Sequence, residues 1–356
     1  MNELHKFIVS LIEADGPLSV ARYMELCLGH PHYGYYMTRD PFGQQGDFIT
    51  APEISQMFGE LIGVWCADTW IKMGRPSPCA LVELGPGRGT LMVDALRAIR
   101  KVSGMAEALS ITLVETSPVL RQSQKKLLNQ AEFSIQWTDS ISNLPKIPLL
   151  LIANEFFDAL PLHQYIRMAT GWHERLVGID ESNHLQFGLS PEPITRFDRA
   201  APIGSVFEEA RASSAYVEQI ARHVRTYQGA ALIIDYGHIK SGFGDTLQAV
   251  KHHGFINPLS DPGDADLTVH VDFEAIGRIA KQAGVTISGP VTQRDFLLAL
   301  GLAARATRLT NSASPEQALA IQGQFERLTG QSGDGMGTLF KVISLHHPHL
   351  EGLAGF

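Results

Sequence analysis

Short apolar runs alternate with amphipathic stretches over most of the 356-residue chain. Each run has the length and composition of a strand that is buried on both faces of a parallel sheet. The runs of this kind lie at residues 80–84, 110–114, 149–153 and 229–234. Residues 90–101 follow the first run and have apolar side chains on one face only, which is typical of a surface helix. The alternation predicts an α/β fold around an open sheet.

The chain opens with a helical pattern instead. Residues 4–12 have apolar side chains at helical spacing, and Gly16-Pro17 ends this helix. Ser19 is the expected N-cap of a second helix. Residues 30–36 are rich in Pro, Gly and aromatic side chains, and predict an ordered loop or a short hairpin. We therefore expect a helical extension before the sheet.

The alternation stops between residues 163 and 227, where short runs predict antiparallel strands followed by a polar helix near 206–227. It resumes at residue 229, and residues 339–345 form the expected last strand. Insertions at the ligand edge of a sheet usually select the substrate. The pattern predicts four segments: residues 1–78 as an N-terminal helical extension and lid, 79–162 as the first half of the core, 163–228 as a substrate-side insertion, and 229–356 as the second half of the core with C-terminal helices.

A glycine-rich turn follows the first run. Gly85, Gly87 and Gly89 permit a ligand to approach the backbone without interference from Cβ atoms. A dinucleotide fingerprint needs glycine at its sixth position, which is Thr90 here. Glu83 is unfavourable beside a pyrophosphate, but it can accept a hydrogen bond from an ammonium group. The turn therefore favours S-adenosylmethionine as the ligand, although a tight turn without a ligand is an open alternative.

Two further acids follow later strands. Glu115 ends the second strand, where a carboxylate can accept hydrogen bonds from both ribose hydroxyls of a nucleoside. Asp139 follows the third strand and could accept a hydrogen bond from an adenine amine. Each acid could instead be a solvated residue at a strand end.

The strand at residues 149–153 is followed by Asn154, Glu155 and Asp158, with two phenylalanines between the acids. In an open α/β sheet the ligand lies at this edge. Carboxylates flanked by aromatic rings suit a cationic group, through charge-assisted hydrogen bonds and cation–π contact. The alternative is that the phenylalanines belong to the core and the acids cap a turn.

Composition restricts the class of protein. A formal net charge of -8 gives no general affinity for nucleic acid, and no apolar run approaches the length of a membrane span. The three cysteines have no metal or redox spacing, and the histidines of residues 244–272 fit no compact ligand pattern, so we expect no metal site there and a solvated loop. Residues 1–14 have neither a signal peptide nor a transit pattern. We expect a bacterial cytoplasmic protein, or one of the mitochondrial matrix if the source is eukaryotic.

Several motifs together resemble the MidA-like methyltransferase family, whose mitochondrial members are assembly factors of respiratory complex I. The resemblance extends from about residue 18 to residue 345. It rests on ELGPGRGTL at 83–91, GDFITAPEIS at 46–55, NEFFDALP at 154–161, IDYG at 234–237, and the residues ADLT at 265–268 with VDF at 271–273.

Residues 30–36 and 46–53 could be spacers, or they could form a lid over the ligand.

The resemblance implies a Rossmann-like class I methyltransferase, with a seven-stranded sheet whose last strand is antiparallel. It implies S-adenosyl-L-methionine as methyl donor, held by Glu83 and the three glycines at its methionine end and by Glu115 at its ribose. It also implies arginine methylation of a protein substrate, which for the mitochondrial members is a complex I subunit. For an arginine acceptor, Glu155 and Asp158 are the candidates that orient the guanidinium and take its proton, and Asn154 is an additional acceptor.

Three other functions share parts of this pattern. A methyltransferase acting on a small molecule or RNA would share the cofactor edge and differ in what the insertion admits. A scaffold could bind the cofactor without turnover. A nicotinamide-dependent oxidoreductase is disfavoured by Glu83 and Thr90.

Overall fold

A computed structural model describes residues 1–39, 50–129, 133–196, 199–333 and 335–356. Residues 46–49, the start of the GDFITAPEIS motif and part of the predicted lid, lie outside the described residues. The chain contains α-helices α1 (Glu3–Asp15), α2 (Val20–Gly29), α3 (Tyr35–Thr38), α4 (Ala51–Ile54), α5 (Gln56–Lys72), α6 (Thr90–Ile99), α7 (Met105–Ala108), α8 (Pro118–Leu128), α9 (Arg211–Tyr227), α10 (Phe273–Gln282), α11 (Gln293–Ala299), α12 (Leu302–Thr310) and α13 (Pro315–Thr329).

The strands are β1 (Leu18–Ser19), β2 (Cys79–Leu84), β3 (Leu109–Val114), β4 (Ile135–Thr138), β5 (Leu149–Asn154), β6 (His163–Met168), β7 (Gly171–Ile179), β8 (Leu185–Leu189), β9 (Val206–Glu209), β10 (Gly229–His238), β11 (Gln248–Lys251), β12 (Gly254–Ile256), β13 (Asp266–Thr268), β14 (Val271–Asp272), β15 (Thr286–Thr292) and β16 (Phe340–His346). No helix within the described ranges combines the length and the apolar character needed to cross a bilayer.

The chain forms two compact units, each assembled from separate stretches. The first contains the described residues of 1–48, 158–215 and 241–270. The second contains those of 49–157, 216–240 and 271–356. These boundaries differ from those of the four predicted segments. Residues 1–48 of the extension and 163–215 of the insertion belong to the first unit although they are far apart in sequence, whereas residues 49–78 and 216–228 belong to the second unit. The assignment of roles to the four segments stays a prediction.

The second unit is built on one large sheet. Its strands follow the order β15-β16-β10-β5-β2-β3-β4, and the short β14 pairs in parallel with β10. Strands β10, β5, β2, β3 and β4 are parallel, whereas β16 is antiparallel to both of its neighbours. All residues of β2 and β5 are buried, as expected for central strands with helices on both faces. The predicted seven-stranded sheet with an antiparallel last strand is confirmed.

Close packing of α5 on α6 depends on two glycines. A Cβ on Gly63 would lie 2.4 Å from the carbonyl oxygen of Ala95, and one on Gly59 would lie 2.6 Å from Cβ of Asp94. The helix backbones can approach so closely only because these positions lack side chains. This contact fixes α6, and therefore the turn that precedes it, against the rest of the unit.

The first unit is mainly antiparallel. Strands β6, β7, β8 and β9 pair in antiparallel fashion, and β1 pairs with β7. Its core contains buried apolar residues of α1 and α2, including Leu4, Ile8 and Tyr23. The predicted helical extension and antiparallel insertion are thus both present. The polar helix expected near 206–227 begins later, at Arg211, because Val206–Glu209 pairs with β6 as a strand.

Two predictions for loops of this unit have different outcomes. Of the two alternatives for residues 30–36, the ordered loop is confirmed and the hairpin is not formed: a turn leads into α3, and Gly34 is required because a Cβ there would lie 2.4 Å from the backbone nitrogen of His30. The stretch 244–272 is not simply a solvated loop, since β11, β12 and β13 form a small sheet. His252 and His253 occupy the turn between β11 and β12 with φ of +51° and +60°. Such turns usually contain Asn or Gly, so two histidines at these positions are not an ordinary turn signal.

Candidate active site

The glycine turn between β2 and α6 adopts backbone conformations that favour glycine. Gly85, Gly87 and Gly89 have φ of +58°, +52° and +89°. In this left-handed region a side chain is strained by its own backbone. A Cβ on Gly85 would also lie 2.9 Å from Cδ2 of Phe156. Gly85 is therefore required both by its conformation and by the ring that packs against it.

Glu83 lies in β2 just before this turn and is 3% exposed. Its Oε2 atom is buried without a hydrogen-bond partner within the described part of the chain. Burial, and then the negative charge of Glu115, raise the pKa of the Glu83 carboxyl to about 8. A cationic partner would compensate the cost of ionising such a buried acid. This is the environment expected of a carboxylate that receives an ammonium group.

Glu115 follows β3 directly and is also buried. Its Oε1 accepts a hydrogen bond from the backbone N–H of Ser117 at 2.8 Å, and its Oε2 accepts one from Nε2 of Gln124 at 3.1 Å. Burial raises the pKa of this carboxyl, and the two hydrogen bonds oppose that shift. Because a carboxylate has about four acceptor positions, these two bonds leave capacity for ribose hydroxyls.

Gln124 in α8 connects the elements around the turn, and the sequence analysis missed it. Its Nε2 donates to the carbonyl oxygen of Gly87 at 2.7 Å as well as to Glu115, and its Oε1 accepts from Nε1 of Trp137 at 2.9 Å. The sequence contained a signal for it. Leu120, Gln124 and Leu128 recur every four residues and are the buried positions of α8, so an amide interrupts an apolar stripe. A buried amide of this kind needs specific partners.

Asp139 follows the last residue of β4. It lies at the same edge of the sheet as Glu83 and Glu115, because β2, β3 and β4 are parallel neighbours. Its side chain is exposed. An exposed carboxylate here can accept a hydrogen bond from a ligand amine, and the predicted contact with adenine stays a prediction.

Asn154 and Glu155 extend the site across the end of β5, which pairs with β2. Oε1 of Glu155 accepts hydrogen bonds from Nδ2 of Asn154 and from the backbone N–H of Ala51, both at 3.1 Å. Glu155 has φ of +49°, and its own N–H donates to the carbonyl oxygen of Ile234 at 2.9 Å. Oδ1 of Asn154 is buried without a hydrogen-bond partner in the described structure. A non-glycine residue in this conformation is typical of a functional site.

The two phenylalanines after Glu155 have different surroundings. Phe157 is buried, whereas Phe156 is half-buried and packs edge-on against Tyr216, with ring centres 5.1 Å apart. The buried carboxylate of Asp235 accepts hydrogen bonds from the backbone N–H groups of both phenylalanines and of Tyr236. Asp235 thereby fixes the loop after β5 to the end of β10.

Asp158, the third residue predicted to act on the acceptor, belongs to the first unit. It is 6% exposed, and its carbonyl oxygen accepts a hydrogen bond from the N–H of Val269 at 3.0 Å. In the same unit, the hydroxyl of Tyr36 donates to Oδ1 of Asp266 at 2.9 Å. Burial, followed by the charges of Asp266 and Asp158, raises the pKa of the Tyr36 phenol. The role of Asp158 toward a methyl acceptor stays a prediction.

The residues at the edge of the large sheet fit S-adenosylmethionine. The glycine turn follows β2 directly. The buried Oε2 of Glu83, which has no hydrogen-bond partner among the described residues, suits the ammonium of the methionine end. Glu115 and Asp139 follow the next two strands in turn, in the order in which a nucleoside would meet them. Glu83, Glu115, Asp139, Asn154 and Glu155 thus lie at one edge of one sheet, as the sequence predicted.

Comparison with known proteins decides the class. The model of a family of S-adenosyl-L-methionine-dependent methyltransferases matches residues 61–291. The chain belongs to this family. The glycine turn at residues 85–89 and the adjoining acids lie within the matched range. S-adenosylmethionine is therefore the chain's cofactor, and methyl transfer is its reaction.

Three relatives show how far the similarity extends. The methyltransferase is 38% identical to the "Protein arginine methyltransferase NDUFAF7 homolog, mitochondrial" of Drosophila melanogaster, over 96% of this chain and 84% of that protein. It is 38% identical to "Protein arginine methyltransferase NDUFAF7, mitochondrial" of Danio rerio, over 96% of this chain and 86% of that protein. A Burkholderia thailandensis protein crystallised with S-adenosyl-homocysteine superposes with a TM-score of 0.85 at 27% identity, covering 99% of this chain and 93% of that one.

The raised pKa of Glu83 predicts that cofactor binding depends on pH. Without ligand the carboxyl is mostly neutral below pH 8. Between the ordinary pKa near 4.5 and about 8, the folded state holds a proton that the unfolded state has lost, so this group makes the free protein less stable as pH rises. The ammonium of the ligand favours the ionised form, so binding should release a proton and affinity should rise from pH 6 to pH 8.

Calorimetry with S-adenosylhomocysteine in buffers of different ionisation enthalpy measures this proton release directly. We expect the dissociation constant to fall by about tenfold per pH unit at most over this range. The Glu83→Gln variant is the matched control, since it cannot titrate. A wild-type affinity that does not change with pH, with no proton released, would contradict the assignment of Glu83 to the ammonium.

Proposed function

We propose that the chain transfers methyl groups to arginine side chains of a protein. The observation that carries this proposal is its similarity to relatives named protein arginine methyltransferases, at 38% identity over nearly the whole chain. That the partner is a respiratory complex I subunit rests on the resemblance of the motifs. These relatives are named mitochondrial, and a location in the mitochondrial matrix, or in the cytoplasm of a bacterium, is part of the same proposal.

An arginine acceptor makes two demands on the site. When bound, the cofactor provides an activated methyl group on a positively charged sulfur, which keeps the electron pair of the broken C–S bond. The acceptor nitrogen must be held in line with that bond, and it must lose a proton. The Glu155 carboxylate can orient a guanidinium by charge-assisted hydrogen bonds, and it can accept the proton.

The neighbours of Glu155 support this role. Two hydrogen bonds to Oε1 fix the carboxylate, since they come from a backbone N–H and from the side chain of Asn154. The half-buried ring of Phe156 lies against the glycine turn, and an aromatic face there could contact a cation. We assign orientation of the acceptor to Glu155, with Asn154 as its support.

Mass spectrometry tests the proposal. The purified protein, with labelled S-adenosylmethionine, is incubated with an extract from cells that lack the gene, and the protein, RNA and metabolite fractions are counted. We expect label in the protein fraction and methylarginine after digestion. Label confined to RNA or metabolites would replace this acceptor with another class, and absence of label in every fraction would favour a scaffold without turnover.

A further inference from the structure

The short helix α4 contacts both the glycine turn and the acceptor-side carboxylate. Its third residue, Glu53, accepts a hydrogen bond through Oε1 from Oγ1 of Thr90 at 2.5 Å. Oε2 of Glu53 lies 3.6 Å from Nη1 of Arg88. Thr90 and Arg88 flank Gly89 at the end of the turn, so both oxygens of Glu53 are engaged with the segment that receives the cofactor.

Ala51, the first residue of α4, makes the contact with the acceptor-side carboxylate, Glu155. The N–H of Ala51 donates to Oε1 of Glu155. Ala51 is fully buried and begins a helix in which Thr50 is the N-cap, so its N–H is not needed for a bond within the helix. Two neighbouring contacts of one short helix, only two residues apart, thus reach the glycine turn through Glu53 and the Glu155 carboxylate through Ala51.

We propose that Glu53 is a positioning residue, which holds α4 on the glycine turn so that the Ala51 N–H fixes the Glu155 carboxylate relative to the cofactor. The inference rests on the proposed role of Glu155 and extends it. Methyl transfer requires the acceptor to be aligned with the methyl group to within a fraction of an ångström, and misalignment of about 1 Å can cost about 100-fold in rate. Helix α4 links the glycine turn, on the cofactor side, directly to Glu155, on the acceptor side, and this link provides that alignment.

A purely structural role for Glu53 is the competing explanation. An acid near the start of α6 also stabilises the partial positive charge of that helix end. Such a role predicts lower stability in the variant and no selective change in turnover. The two roles therefore differ in whether kcat falls at unchanged cofactor affinity.

Three variants separate these roles. Glu53→Ala removes both contacts and should lower kcat about tenfold, while the dissociation constant for S-adenosylhomocysteine changes less than about threefold. Glu53→Gln retains an oxygen that can accept from Thr90 and should restore most of the rate. Gln56→Ala, at an exposed position three residues later, is the matched control and should behave as wild type.

A double-mutant cycle and a crystal structure together test the positioning role of Glu53. In the Glu155→Gln background, Glu53→Ala should lower the residual transfer of labelled methyl to extract protein by much less than in wild type, because its effect acts through Glu155. The crystal structure of Glu53→Ala with S-adenosylhomocysteine should show the Ala51 N–H and Glu155 Oε1 separated beyond hydrogen-bond distance.

Retention of that hydrogen bond, or fully additive effects on rate, would overturn the inference. The two proposals can fail separately. If wild type transfers no methyl group to arginine, the proposed function fails, and the Ala51–Glu155 distance in the variant still decides the positioning role.

Discussion

Gly85→Val is expected to weaken the binding of S-adenosylmethionine strongly. Gly85 has φ of +58°, where a β-branched side chain is strongly disfavoured, and its Cβ would lie 2.9 Å from the Phe156 ring. The free protein can relieve both conflicts by moving the turn, but binding must restore it. Backbone strain of about 1–2 kcal/mol and overpacking of about 1–3 kcal/mol together predict an affinity loss between about 30-fold and several thousand-fold.

Isothermal titration calorimetry measures this loss, and a second glycine provides the control. Gly104 has φ of +79°, but no atom lies within 4 Å of the position of its Cβ. Gly104→Val should therefore suffer similar backbone strain and a lower melting temperature while it binds the cofactor normally. Wild-type affinity in Gly85→Val would show that the turn does not contact the ligand.

Glu155→Gln is expected to bind the cofactor normally and to lose turnover. Glutamine occupies the same volume, retains an oxygen that can accept from the Ala51 N–H, and has the same strain at φ +49°. It lacks the negative charge that orients a guanidinium and the basicity that removes its proton. We expect kcat to fall by about 10²–10⁴-fold, the usual contribution of a positioned general base.

The measurement compares transfer of labelled methyl to protein with the affinity for S-adenosylhomocysteine. Glu107→Gln, at an exposed position of α7 in the same unit, is the matched charge control and should be fully active. Full activity of Glu155→Gln would remove Glu155 from the mechanism. An equal loss in both variants would indicate a general effect of charge instead.

The central sheet could be predicted because its signal is local. The apolar runs that became β2, β3, β5 and β10 are short and bounded by turn residues, so period and length sufficed. Because parallel strands end at one edge, acids at the carboxyl ends of these strands are predicted to lie together. Glu83, in the last two residues of β2, and Glu115 and Glu155, directly after β3 and β5, are acids of this kind.

Other features depend on contacts that are distant in sequence. Gln124 acts through Gly87 and Trp137, and only its place in an apolar stripe pointed to it. Glu53 was visible only as part of a motif, since its partner Thr90 lies 37 residues away. The assignment of Asp158 to the other unit could not be read from a sequence in which it is three residues from Glu155.

The three hydrogen bonds accepted by Asp235 bear on how this enzyme can diversify. The chain leaves the large-sheet unit after Phe157 and re-enters it at Tyr216. The carboxylate of Asp235 fixes the chain where it leaves this unit, by accepting a hydrogen bond from the N–H of Phe157. The contact between the rings of Phe156 and Tyr216 fixes the chain where it re-enters. Residues 158–215, which lie between these two fixed points, can therefore vary in length or in surface while the ends of β5 and β10 keep their positions in the large sheet.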